Sequence, residues 1–142
     1  MASKHYAIDI EIHASKKTVW TIVSEVEAWP TWTPTMTTVQ RLSGSGVGAQ
    51  YAVKQPHLPK SKLCIDTWNE GDSFSWHSNE TATRMDADHI LTELSPNLTR
   101  VNLTLVMSGP MIGVVWLIWG RKIRSYVDIE AKSLKAVAES RS

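Results

Sequence analysis

The chain has 142 residues, enough for one domain with a sizeable hydrophobic core and too few for two comfortable domains. Its 15 basic and 14 acidic residues are dispersed along the chain and give a net charge of +1, so no basic patch predicts binding to nucleic acid. The single cysteine, Cys64, excludes an internal disulfide, a cysteine-rich zinc site and a Rieske cluster. A cytoplasmic location follows most simply from this cysteine usage.

The first residues lead directly into alternating apolar and charged positions, so we predict no signal peptide. The most apolar stretch, residues 111–119, has about half the length that a membrane span needs. We therefore predict no membrane span and expect this stretch to form the buried or cavity-facing start of a helix.

The first predicted strand has isoleucine at every second position (Ile8, Ile10 and Ile12), with charged or polar residues between them. This period of two is typical of a strand with one buried face. Ser15 is placed to cap a short helix, and Pro30 and Pro34 limit the next segment to short helical turns. Residues 37–107 then show alternating apolar positions between turn signals, which predicts six further strands and seven in total.

The last fifth of the chain predicts one long helix. Pro110 suits a first helical position, and apolar residues recur at three- and four-residue steps from Trp116 to Ala138. Its length would be about 29 residues, or roughly 43 Å. Gly113 and Gly120 mark where we expect the helix to kink or to begin late. Glu130 lies on the apolar stripe, and we expect it to be paired near the helix end.

An antiparallel sheet with one apolar face needs a cover, and the long helix is the element large enough to supply it. The sequence therefore predicts an α+β domain over residues 1–142. A curved seven-stranded antiparallel sheet wraps around the C-terminal helix, and two short helices after the first strand close one end. The space between helix and sheet is either packed or hollow.

Several short motifs resemble the START-like (SRPBCC) superfamily, in particular its polyketide cyclase/dehydrase group. They are Ile8-x-Ile10-x-Ile12-x-Ala14-Ser15-x-x-x-Val19-Trp20, Trp29-Pro30-x-Trp32, Gly46-x-Gly48, His89-x-Leu91 and Thr99-Arg100-Val101 before Gly109. The resemblance covers nearly the whole chain and implies a helix-grip fold with a hydrophobic cavity between sheet and helix. Its members include lipid and hormone binders, aromatase/cyclases and ring-hydroxylating oxygenases, so it does not select one activity.

The chain has seven tryptophans and three tyrosines against one phenylalanine. Such rings suit a pocket that stacks a flat ligand and orients its polar atoms, although they also fill cores. Strand parity and helix periodicity suggest nine ligand-contacting residues: Trp32, Gln55, Thr67, Trp76, Ser78, Met85, Trp116, Trp119 and Tyr126. Trp68 has the outward parity unless a bulge intervenes.

His89 shares parity with apolar residues of its strand and should point inward, where an imidazole can act as general acid or base. Tyr51 or Tyr126 would then polarise a substrate carbonyl. The simpler alternative is a neutral histidine satisfied by a buried hydroxyl. Acidic and arginine side chains are not expected inside, because Asp66, Asp86, Asp88 and Arg84 have outward or loop positions.

We therefore predict binding of a hydrophobic, aromatic or polyketide-like small molecule in an internal cavity. One alternative is a polyketide cyclase/dehydratase that works without metal or cofactor, and another is a protein-interaction module that uses the same groove. The five histidines show no helical pair for an iron site, so an oxygenase is set aside.

Overall fold

A computed structural model describes residues 3–80 and 83–141 of the chain. Strand β1 (Ser3–Ile12) leads into helix α1 (Lys16–Ser24) and a short 3₁₀ helix (Val26–Thr31). The predicted cap is present, because the Thr18 backbone N–H donates to the Ser15 hydroxyl oxygen at 3.1 Å. The 3₁₀ helix contains Pro30, which cannot support a longer α-helix.

Six more strands follow: β2 (Thr38–Ser43), β3 (Gln50–Lys54), β4 (Ser61–Asn69), β5 (Ser73–Asn79), β6 (Arg84–Ser95) and β7 (Leu98–Ser108). Helix α2 (Ile112–Ser140) then runs for 29 residues, which matches the predicted length. It begins two residues after Pro110, with Met111 at its N-cap position and no side-chain cap.

All strands form one antiparallel sheet in the order β1-β7-β6-β5-β4-β3-β2. The first strand therefore pairs with the last, and Ile8 and Ile10 lie opposite Leu103 and Val101. The sheet, the two short helices and the long C-terminal helix confirm the predicted α+β helix-grip architecture.

The second half of α2 closes the core. Ala131, Leu134 and Ala138 are fully buried, in one cluster with Ile12 and Trp29. Burying a side chain of the size of Leu134 contributes about 1.5–3 kcal/mol. This half of the helix packs on the sheet as a solid layer.

The first half of α2 differs from the expectation for residues 111–119. Ile112 is buried with Leu105 and Met107, but five apolar side chains of this stretch are exposed: Met111, Val114, Leu117, Ile118 and Trp119. Successive helical residues point about 100° apart, and only one face of the helix meets the sheet. A stretch that is apolar on all sides must therefore leave most of its side chains outside.

Strand β4 contains an irregularity that changes which side chains face inward. The pairing with β5 shifts between Ile65 and Thr67, so one extra residue reverses the alternation. Thr67 is exposed as a result, with its hydroxyl 2.7 Å from that of Ser75. Trp68 turns inward and packs against Trp20, with ring centroids 5.4 Å apart. The predicted inward position of Thr67 is therefore wrong.

Candidate functional site

A pocket of about 440 Å³ lies between the inner face of the sheet and the part of α2 that runs from Val115 to Glu130. Its inner end is formed by the buried side chains of Leu63, Trp76 and Leu103. Pro59, Glu80 and Trp119 line it and are exposed, so they mark its mouth. The volume falls in the range of roughly 300–1,000 Å³ that is usual for small-molecule sites.

The structure brings most of the predicted site residues together. Seven of them line this one pocket: Gln55, Trp76, Ser78, Met85, His89, Trp119 and Tyr126. They come from the end of β3, from β5 and β6, and from α2, and the alternation of each strand points them towards the same space. The Tyr126 hydroxyl donates to the carbonyl oxygen of Pro56 and so ties α2 to the loop after β3.

Tyr51 and Thr67 do not line the pocket. Tyr51 is buried in the core two residues before Val53, about 7 Å along the same strand face. Its ring lies 5.5 Å from the Arg41 guanidinium carbon. Thr67 is turned outward by the β4 bulge. Neither side chain is therefore among those that line the pocket.

Trp32 and Trp116 also lie outside the pocket. Trp32 packs against Trp29 at 5.1 Å, and its indole N–H is the one buried side-chain polar atom without a hydrogen-bond partner among residues 3–80 and 83–141. Trp116 lies over Gly120, where an added Cβ would come within 3.1 Å of its ring. The guanidinium carbon of Arg124 lies 5.3 Å from the centre of the Trp116 ring. Trp116 is half-buried and packs against the cluster of Leu105, Met107 and Ile112 rather than lining the pocket.

His89 lies at the inner end of the pocket and is 2 % exposed. Its Nδ1–H donates to the Phe74 carbonyl oxygen at 3.2 Å, which leaves the lone pair on Nε2. The imidazole stacks on the Phe74 ring at 4.3 Å and meets the edge of Trp76 at 4.6 Å. Because burial disfavours the charged form, the pKa of His89 falls from 6.5 to about 4, although the carbonyl contact acts in the opposite direction.

Glu130 shares the pocket with His89, contrary to the expectation that it pairs near the end of α2. Its side chain is 14 % exposed, and its Oε1 atom lies 4.0 Å from Nε2 of His89. Burial raises the pKa of this carboxyl to about 8. The separation is too long for a hydrogen bond, and burial disfavours both charges, so both groups are neutral between about pH 4 and pH 8.

The sequence contains a signal that the Glu130 side chain is buried. Glu130 lies on the apolar face of the helix, between Val127 and Leu134. If that face packs against the sheet, the Glu130 side chain is buried with it. The other expected outward acids do lie on the surface: Asp66 contacts Nδ1 of His77 at 2.7 Å, and Asp86 pairs with Arg84.

The remaining charged residues of the pocket are Glu80 at the mouth and the exposed Asp88. Of the described residues that line the pocket, none is lysine or arginine. In the same part of the chain, no group of three His, Cys, Asp or Glu side chains could hold a metal ion. No helix within residues 3–80 and 83–141 is long and apolar enough to cross a bilayer.

Several solved structures share this architecture. A START superfamily protein from Mycobacterium smegmatis superposes with a TM-score of 0.78 at 18% identity, over 97% of this chain and 99% of that one. The Zhui aromatase/cyclase from a Streptomyces species gives a TM-score of 0.80 at 14% identity, over 99% and 96%. Norcoclaurine synthase from Thalictrum flavum gives 0.76 at 12% identity, over 96% and 86%. At these identities the likeness shows the fold alone.

Comparison with curated protein sequences found no match. A family model does match: residues 4–139 fit the family described as polyketide cyclase / dehydrase and lipid transport. Because that match spans nearly all of the sheet and the helices, the chain belongs to the polyketide cyclase/dehydrase and lipid transport family.

Proposed function

We propose that the chain, acting as one START-like domain, binds a flat, hydrophobic small molecule in the pocket between the sheet and α2. The observation that carries this proposal is the pocket itself, about 440 Å³ in volume and lined mainly by apolar and aromatic side chains. A few polar groups converge at its inner end, as in most small-molecule sites. The cytoplasmic location and the lack of nucleic-acid binding remain predictions from the sequence.

The pocket has aromatic rings that could stack on a flat ligand and polar groups that could bind its polar atoms. Trp76 lies at its inner end and Trp119 at its mouth, so a planar ligand between them would meet an indole at either side. Ser78, Gln55 and His89 add hydrogen-bonding groups for the polar atoms of the ligand.

Fluorescence titration with a polycyclic aromatic probe tests this function, with a matched pair of tryptophan variants. Trp119→Phe changes the pocket, whereas Trp116→Phe changes an indole on the same helix that does not line it. We expect Trp119→Phe to weaken probe binding several-fold and Trp116→Phe to leave the affinity unchanged. Equal effects of the two variants, or no saturable binding by the wild type, would contradict the proposal. A protein partner that competes with the probe would favour the interaction-module alternative.

The His89–Glu130 pair supports a second candidate, a cyclase/dehydratase. His89 has a free lone pair on Nε2, and Glu130 has a protonated carboxyl group. Both side chains line the pocket, with Nε2 and Oε1 4.0 Å apart. In an aldol closure, His89 would take the proton from the carbon between two carbonyls. The resulting enolate carbon would attack a second carbonyl, and Glu130 would protonate the alkoxide oxygen. Return of the proton from His89 to the Glu130 carboxylate, 4.0 Å away, would restore both groups for dehydration, in which His89 removes the α-proton while Glu130 protonates the departing hydroxyl, which leaves as water.

This assignment moves the acid role from tyrosine to Glu130. Tyr51 lies in the core, and the Tyr126 hydroxyl is already engaged by Pro56. Folding the substrate inside the pocket would supply most of the acceleration through proximity. The weak basicity of His89 restricts such catalysis to protons that are already acidic, such as those between two carbonyls.

Dehydration of an aldol formed from an aromatic aldehyde and a β-diketone serves as the test reaction, because its α-proton lies between two carbonyls. His89→Gln and Glu130→Gln should each abolish loss of water from this probe while probe binding persists. Turnover that survives in both variants would remove the pair from the mechanism. Binding without turnover in the wild type would leave the binding function and exclude the enzymatic one for this class of substrate.

A further inference from the structure

Apart from His89 and Tyr126, the ionisable residues that line the pocket are all carboxylic acids. Glu130 lies at its inner part, Glu80 at its mouth and Asp88 on β6, and no described lining residue is lysine or arginine. His89 does not offset them, because it is uncharged above about pH 4. A negatively charged ligand would therefore meet only like or neutral groups inside a space of low polarity.

We propose, resting on the proposed function, that the pocket selects flat apolar ligands that bear a basic amine. The ammonium group of the ligand would lie beside the Glu130 carboxyl, and anionic analogues of the same skeleton would be excluded.

The position of Glu130 supports this choice of partner. Its carboxyl is buried without a cation, and among the described residues the basic group within 4.0 Å of it is Nε2 of the neutral His89. A buried carboxylate becomes favourable when a positive charge lies next to it, and no described residue of the pocket supplies one. A ligand ammonium would supply that charge.

The aromatic lining favours the same class of ligand. Trp76, Trp119 and Tyr126 line the pocket together with Glu130. The faces of such rings attract a cation, with indole the strongest, and their attraction grows when water is excluded. An apolar ring and an ammonium group on one molecule would use both properties of this lining.

Proton linkage gives the proposal a distinctive signature. Glu130 is protonated below about pH 8, so binding of a cation beside its carboxylate must release that proton. The affinity for an amine should therefore rise about tenfold per pH unit from pH 6 towards pH 8. Other titratable groups that line the pocket are His89 and Asp88 on β6, Glu80 after β5 and Tyr126 on α2. His89 adds no charge in this window because it stays neutral there.

Three probes with one naphthyl ring separate charge from shape: naphthylethylamine, naphthylethanol and naphthylacetate. Calorimetric titrations at pH 6, 7 and 8 would measure each affinity for the wild-type protein. We expect the amine to gain about tenfold per pH unit below pH 8, the alcohol to stay constant and the acetate to bind at least tenfold more weakly than the amine at pH 8.

Two variants locate the effect. Glu130→Gln should abolish the pH dependence of amine binding and bring its affinity close to that of the alcohol. Glu80→Gln, which removes an exposed carboxylate at the mouth, should keep the pH dependence. Thermal unfolding of each variant would verify that it is folded before the titrations are compared.

The outcomes separate this inference from the proposed function. If the alcohol binds but the amine shows no preference, or if amine affinity falls as pH rises, the amine proposal is overturned while ligand binding stands. The same holds if Glu80→Gln, and not Glu130→Gln, removes the pH dependence. If none of the three probes binds at any pH, the proposed function itself fails.

Discussion

The burial of Glu130 predicts that its replacement by glutamine stabilises the protein, and more so as pH rises. In the unfolded chain this carboxyl loses its proton near its ordinary pKa of 4.5, whereas in the folded protein burial holds the pKa at about 8. Between these values the unfolded state releases a proton that the folded state retains, so raising the pH favours unfolding. Stability associated with this group is full below pH 4.5 and is lost as pH rises towards 8.

The size of the effect follows from the same two pKa values. Each pH unit between them costs about 1.4 kcal/mol, and the whole interval costs about 5 kcal/mol. Glutamine has nearly the same shape as the protonated acid and cannot ionise. We therefore expect the free energy of unfolding of Glu130→Gln, relative to wild type, to increase by about 3.5 kcal/mol between pH 5 and pH 8.

Urea unfolding followed by tryptophan fluorescence, at pH 5, 6, 7 and 8, measures this difference directly. Glu93→Gln is a suitable control, because Glu93 is an exposed carboxylate on β6 and its loss should change stability little. A difference between Glu130→Gln and wild type that stays constant across these pH values would refute the reasoning, since it would show that the carboxyl ionises as readily in the folded protein as in the unfolded chain.

Three further predictions concern the surroundings of the pocket. As pH falls from 6.5 to 4, the wild type should lose about 3 kcal/mol of stability, because the imidazole binds a proton in the unfolded chain but not in the folded protein. His89→Gln should not show this loss, and acid unfolding curves of the two proteins measure the difference. Gly113→Ala should stabilise the protein by up to about 1 kcal/mol, because open space surrounds that helical position. Gly120→Ala should be about 1–2 kcal/mol less stable than Gly113→Ala, because its methyl group would crowd the Trp116 ring. Equal melting temperatures of the two variants would contradict this contrast. Thr99→Val should cost about 1–3 kcal/mol in urea unfolding, because the buried Thr99 hydroxyl donates to the Ala14 carbonyl oxygen at 2.9 Å, and an unchanged midpoint would count against that bond.

The sequence predicted the elements whose signals repeat along the chain. Alternation at Ile8, Ile10 and Ile12 defined β1, the hydroxyl of Ser15 marked the start of α1, and the three- and four-residue spacing of apolar residues gave α2 its length. These signals arise from local geometry, so they survive without knowledge of tertiary contacts.

Features that depend on a single residue were harder to predict. The β4 bulge adds one residue opposite β5 and leaves no mark in the hydropathy pattern, yet it exposes Thr67 and packs Trp68 against Trp20. Residues 111–119 are apolar throughout, so their composition could not indicate which helix face meets the sheet. The predictions for Thr67 and for residues 111–119 were wrong for the same reason. The direction in which a side chain points depends on partners that are distant in sequence.

Glu130 is also a single residue whose surroundings depend on partners that are distant in sequence, and it lies where the pocket ends. It is the last residue of α2 to line the pocket, and the fully buried Ala131 and Leu134 follow it in the solid core. At pH 7 the retention of its proton costs the folded state about 3 kcal/mol relative to an acid that ionises freely. An apolar or amide side chain at this position would avoid that cost, and sites that sacrifice stability in this way are typical of function. The acid is thus better explained by the ligand that enters the pocket than by the packing that holds the fold together.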